Sequence, residues 1–146
     1  MSFHDLVRRA IVIDEEEIAL WSEIASLVRS HELRAAIMRM IKHEKEDIEF
    51  WRSLMAEPMP MAATTREEQP RDAGERGGPS YLHHRIRQAL MLDLEEIALL
   101  AEIASRVPSD ALRLDILMHM LPNEVCEACF WNTVLLQRDM MMGICE

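Results

Sequence analysis

Eight acidic side chains, Asp14, Glu17, Glu44, Asp47, Asp93, Glu96, Glu124 and Glu127, occupy positions where an amphipathic helix normally places apolar residues. At about 100° per residue, Asp14 and Glu17 fall inside the arc formed by Val7, Ala10, Ile18, Trp21, Ile24, Ala25 and Val28, whereas Glu15, Glu16 and Glu23 fall outside it. Asp93 and Glu96 lie among Ala89, Leu90, Ile97, Leu100 and Ile103. Glu44 and Asp47 sit within the stripe of Ile37, Met40, Ile41, Ile48 and Trp51, and Glu124 and Glu127 sit between Met120 and Trp131. Ionised carboxylates in a dry interior cost several kcal/mol each, and like charges sharing a site add to that cost. Protons, basic side chains or metal ions must offset it, yet no Lys or Arg occupies these stripes near the middle of a helix. Hard or borderline cations such as iron or manganese accept several carboxylate oxygens, and one carboxylate can bridge two ions about 3.5–4 Å apart. Metal binding is therefore the chemistry these residues suggest. The competing reading is a wet seam or dimer interface whose periodicity only imitates burial.

The elements that must position these acids repeat. Asp14 to Leu20, followed by Glu23-Ile24-Ala25-Ser26, returns 79 residues later as Asp93 to Leu99 followed by Glu102-Ile103-Ala104-Ser105. Leu33-Arg34 returns as Leu112-Arg113, and Glu44, Asp47 and Phe50-Trp51 return at an offset of 80 as Glu124, Glu127 and Phe130-Trp131. Each half reads as a pair of helices. The first pair is expected from about Phe3 to Arg29 and from His31 to Met55, with Ser30 as the cap at a joint short enough to make them antiparallel. The second is expected from about Tyr81 to Val107 and onward from Asp110, after Pro108-Ser109. Between them, Ala56 to Ser80 carries Pro58, Pro60, Pro70, Pro79, Gly74, Gly77 and Gly78, the composition of a linker. The predicted fold class is all-α: a single four-helix domain over 1–146, built of a hairpin at 1–55, a crossover linker at 56–80 and a second hairpin at 81–146.

The step from 79 to 80 adds one residue inside the fourth helix. Pro122 marks where it is absorbed, because proline removes a main-chain donor and crowds the preceding turn, so a kink or π-bulge is expected just before Glu124. Alternatively, Pro122 begins a second, shorter helix.

Composition narrows the function classes. Of 146 residues, 49% are hydrophobic but only 5% aromatic, and Met supplies 12 positions, a mixture suited to helices rather than sheets. The formal net charge of −10 argues against nucleic acid and anionic membranes, which need a basic face, and favours cations as partners. The N-terminus lacks the basic-then-apolar order of a signal peptide, and no apolar run approaches the length of a membrane span, so a cytoplasmic location is expected.

An acid on the first and third helices, with acids at i and i+3 on the second and fourth, in a duplicated bundle with a long second connection, resembles the ferritin-like superfamily of ferritins, rubrerythrins and di-iron oxidases. The resemblance covers nearly the whole chain except the linker. Members of that family typically carry one Glu on each of two helices and Glu-x-x-His on the other two. Here Glu44-Lys45-Glu46-Asp47 maps as Glu-x-x-Asp and Glu124-Val125-Cys126-Glu127 as Glu-x-x-Glu, so both family histidines are replaced by acids. The resemblance implies two iron ions, with manganese as the alternative. Glu44 and Glu124 would bridge them, Asp14 and Asp93 (or Glu17 and Glu96) would be terminal ligands, and Asp47 and Glu127 would stand in for the histidines. It further implies oxidation of ferrous iron by O2 or peroxide; the other class is a non-enzymatic metal-binding, storage or structural bundle.

The remaining conspicuous residues have plainer readings. His43 falls at the edge of its arc, and His119 is a ligand candidate only if the first offset carries it to the core side. Cys126 and Cys129 lie mid-helix with sulfurs toward the flanks, and Met140-Met141-Met142 suits packing or a frayed tail. Val12, Ala19, Leu20, Met38 and Phe50 are apolar flanks that a homo-oligomer, most simply a dimer, would cover.

Overall fold

The computed structural model of the chain describes residues 1–55 and 79–137. Among these the fold is all-helical: α1 (Phe3–Leu27), α2 (His31–Leu54), α3 (Pro79–Arg106), and a fourth rod made of α4 (Asp110–Asp115), a π-helical segment (Ile116–Met120) and α5 (Leu121–Leu136). The described helices include none long and apolar enough to cross a membrane.

Local chemistry sets the ends of these rods. Ser2 and Asp5 form a reciprocal capping box at the start of α1, and the hydroxyls of Ser30 and Ser109 accept the main-chain N–H of Leu33 and Leu112 at the starts of α2 and α4. The α3 start lies at Pro79 rather than Tyr81, since the first helical turn tolerates a residue without an N–H. At the joints, the carbonyls left open at the ends of α1 and α3 are bound by an arginine from the following helix. Arg34 donates through Nε to Ala25 O at 3.1 Å and through Nη2 to Val28 O at 2.6 Å. Arg113 donates likewise to Ala104 O at 2.9 Å and Val107 O at 2.8 Å. Hydrogen bonds from a charged donor contribute about 1.5–3 kcal/mol. Arg34→Ala and Arg113→Ala are each expected to destabilise the fold by about that amount, read from the midpoint of urea unfolding at constant slope.

Two apolar clusters fill the interior, one toward each end of the bundle. The first contains Trp21, Ile24, Ile37, Leu82, Ile86 and Trp131; the second contains Leu6, Val7, Trp51, Leu100, Ile103 and Ile116. A large side chain fully buried in either stabilises by roughly 1.5–3 kcal/mol. The order in which each rod meets the clusters gives its direction. Rod α1 passes from the second to the first, α2 and α3 from the first to the second, and the fourth rod from the second back to the first. Rods α2 and α3 are therefore parallel, so α2 ends at the opposite end of the bundle from the start of α3. That arrangement demands a full-length crossover between them; residues 56–78, where the linker is expected, lie outside the described residues.

The rods pack closely as α1 on α2, α3 on α5 and α1 on α3, while α2 and α5 stand further apart, leaving their shared face the open one. Leu20, expected on an exposed flank, is instead buried in the first cluster, whereas Val12 and Met38 are exposed.

The added residue of the second half is accommodated as a π-turn. Leu121 N–H donates to Ile116 O, five residues back, and the backbone stays helical from Asp115 through Leu121. Pro122 explains the location, because it cannot donate to the turn before it. The fourth rod is thus continuous, and Glu124 and Glu127 re-enter the interior one turn later.

Candidate metal centre

Every rod carries its pair of acids at the level between the two apolar clusters. Relative exposure is 0% for Asp14, Glu17, Glu44 and Asp93, 1% for Glu96 and Glu124, and 6% for Glu127. Asp47 is half-buried. Both carboxyl oxygens of Asp14, Glu17, Glu44, Asp93, Glu96 and Glu124, and one of Glu127, are buried without a hydrogen-bond partner. None of the ion pairs among the described residues involves any of the eight; Arg9, Arg52 and Arg85 pair with Glu95, Glu15 and Glu23. Native interiors rarely leave even one such group unsatisfied, so a whole layer of them calls for a counter-charge.

The acids fall into groups whose ligand atoms lie within 4.8 Å of one another: Asp14, Glu17, Glu44 and Glu96; Glu17, Asp93, Glu124 and Glu127; and Glu44, Asp47 and Glu124. Glu17 alone belongs to both four-member groups. The resemblance to the ferritin-like superfamily implied the shared role for Glu44 and Glu124; in the structure each of these joins one four-member group to the third. The phase of Glu17 was legible, but its reach depends on the separation of the rods, which no single-helix pattern reports.

Burial is the leading electrostatic influence on all eight. It raises Asp14 to about 7, Asp93 to about 9 and Glu124 to about 10, from ordinary values of 3.8, 3.8 and 4.5. Negative neighbours add to this, Glu124 acting on Asp93 and Glu44 acting on Glu124. Glu17, Glu44, Glu96 and Glu127 are likewise pushed far up, burial first and like charge second or, for Glu96, a contact with Asp14. Asp47 is raised only to about 6, because burial is incomplete and the nearby His43 favours its charged form. Several of the contacts are carboxyl to carboxyl, such as Asp14 with Glu96 and Glu44. Two carboxylates cannot hydrogen-bond without a proton between them, so each contact must hold either a proton or a cation. An all-oxygen set of this kind fits hard and borderline cations.

Histidine takes no part in these groups. His43 and His119 are both exposed, and His119 does not reach the core side, where its neighbours Ile116 and Met120 point instead. Cys126 and Cys129 are exposed free thiols, while Met140-Met141-Met142 and Cys145 lie outside the described residues.

Two features were not anticipated from sequence. The Nε1 atoms of Trp21, Trp51 and Trp131 are buried without partners, each indole standing one helical turn beyond an acid, Glu17, Asp47 or Glu127. A groove of about 330 Å³ between α2 and α5 has Glu127 in its wall, beside His43 and Asn123. A larger groove of about 970 Å³ along α1 and α3 is lined by none of the eight acids.

Compared with known proteins, the chain matches no family model, no curated protein sequence and no solved structure.

Proposed function

We propose that this chain is a ferritin-like di-metal carboxylate protein, one domain over residues 1–146, that binds two iron ions and oxidises ferrous iron with O2 or peroxide. Manganese is the alternative metal. The observation that carries the reading is a buried layer of unpartnered acids, contributed by all four rods, that divides into two four-member groups joined by Glu17. Asp14, Glu44 and Glu96 would hold one ion, Asp93, Glu124 and Glu127 the other, and Glu17 would lie between them. Iron held there supplies the electrons for reducing O2 or peroxide. The chain holds the donors in place through two apolar clusters that also exclude water from either end. Its carboxyls, raised by burial, take up protons when cations leave and release them when cations bind.

A second reading, metal binding without turnover, is favoured by one observation: no imidazole enters any of the groups, and nitrogen donors are what usually tune iron toward oxygen chemistry. Anaerobic loading with ferrous iron followed by mixing with air separates the two. Rapid oxygen-dependent oxidation of about two irons per chain supports the enzyme. Tight binding with oxidation no faster than free ferrous ion supports the second reading, and failure to load overturns both.

A cytoplasmic location belongs to the same proposal, supported by exposed thiols that are free rather than bridged. So does a homodimer, which would cover the exposed Val12, Met91 and Leu94 on α1 and α3.

A further inference from the structure

We infer that the outer face of the fourth rod, from Leu114 to Leu136, is a contact surface for a second copy of this chain, paired about a twofold axis. The internal repeat supplies the control. The exposed Arg39, Lys42 and Lys45 of α2 return in the second half as Met118, Leu121 and Val125, and the exposed Glu46, Glu49 and Arg52 return as Cys126, Cys129 and Asn132. Two rods that turn matching acids inward therefore differ in what they show outward. Between Ile116 and Leu136 no Asp, Glu, Lys or Arg is exposed, although each of the other three rods exposes charges of both signs. A surface that faces water carries about 25–35% charged residues, so an uncharged stretch of this length marks a face that is covered.

Apolar residues stand where the charges are missing. Leu114, Met118 and Val125 are 58%, 65% and 44% exposed, with Leu117 beside them and Leu136 at the far end of the rod. They recur at the helical interval on the side opposite the buried Ile116, Met120 and Glu124. Methionine and aliphatic side chains with charge excluded make the core of a protein interface. Cys126 and Cys129, free thiols exposed on the same surface, belong to a residue type that is usually buried.

Charge identifies the partner. At a formal net charge of −10, two copies repel each other over most of their surface, and the outer face of the fourth rod lets them meet with no like charges opposed. A partner recognised through basic or acidic groups finds no counter-charge there. The face also matches itself. An antiparallel crossing centred beside Met120 lays Leu114 of one copy against Val125 of the other and Met118 against Pro122, and the twofold axis repeats each contact. The stretch from Leu114 to Leu136 gives about 30 Å of rod to that crossing. This surface lies on a different rod from Val12, Met91 and Leu94, so it adds to a dimer through α1 and α3, and it does not depend on what the acid layer holds.

The test is sedimentation equilibrium of the chelator-stripped full chain, unaltered and with Met118→Arg, Leu121→Lys and Val125→Lys together, which writes the residues of α2 into the fourth rod. Met118→Arg alone, a single change at an exposed position, takes the place of the triple variant if circular dichroism shows that the latter has lost its helix. The unaltered chain should sediment with at least twice the mass of the variant, whether or not α1 and α3 pair as well. Alkylation of Cys129, followed by peptide mass spectrometry, should be at least about tenfold faster in the variant, because the contact that shields the thiol is gone. An unaltered chain that sediments as a monomer, equal masses for the two chains, or equal Cys129 rates overturns the inference. A dimer retained in the variant overturns it while leaving the α1 and α3 dimer standing.

Discussion

Acidifying the metal-free chain from pH 8 to pH 5 is expected to stabilise it, the reverse of ordinary acid unfolding. The sign follows from the direction of the shifts. Asp93 and Glu124 have folded-state values of about 9 and 10 against ordinary values of 3.8 and 4.5. Between those limits the folded state binds more protons than the unfolded state, so stability falls as pH rises, by about 1.4 kcal/mol per pH unit for each such group. The contribution is fully present below about pH 4 and is lost as pH climbs toward the folded-state values. Asp93 and Glu124 together thus set a slope of up to about 3 kcal/mol per pH unit between pH 5 and pH 8. Cation binding inverts the slope, because the ligands must be deprotonated to bind. Thermal unfolding in chelator should give a melting temperature that rises toward pH 5, and the same series with excess Mn2+ should give one that rises toward pH 8. Parallel curves in the two series would show that the buried layer does not exchange protons for cations.

Replacing Glu44 and Glu124 together by Gln should abolish loading of the buried positions. Each four-member group loses one charged ligand, and the third group loses two of its three. Changes confined to residues that merely support a ligand cost 10–100-fold in affinity as a rule; removing a direct ligand from every position should cost more than about 100-fold. The expected effect on the metal-free chain has the opposite sign. At pH 7, Glu124 is held protonated about 2.5 pH units above its ordinary value of 4.5, which costs the fold up to about 3 kcal/mol. Glu124→Gln alone removes that cost, so the metal-free variant should be more stable than the unaltered chain at pH 7 and no more stable at pH 4. Such a residue would be retained for its ligand role at the expense of stability. A variant that loses stability equally at both pH values would instead mark Glu124 as a packing residue.

Much of this arrangement was legible before any coordinates. A phase calculation on one helix at a time found all eight acids, because a period of 3.6 residues fixes which face a side chain shares with its apolar neighbours. The π-turn at Ile116–Met120 was legible as a change of offset beside Pro122. What single-helix patterns could not report were quantities set between rods. The closeness of α1 to α3 buries Leu20, which the arc alone placed on a flank. The single methylene separating Asp47 from Glu127 sends two equivalent positions to different groups. The choice of Glu17 as the shared carboxylate depends on how far a glutamate reaches across the bundle axis. His119 illustrates the limit from the other side, since the offset that carries Met40 onto it leaves the imidazole exposed on the surface of the π-turn.

The most direct measurement is anomalous scattering from crystals of the chain grown with iron or manganese, with data collected on both sides of the metal's absorption edge. Two strong internal peaks are expected, one within each four-member carboxylate group and about 3.5–4 Å apart with Glu17 between them. Internal carboxyls ordered in the same positions, with no anomalous density among them at saturating metal, would contradict the claim that this layer exists to hold cations.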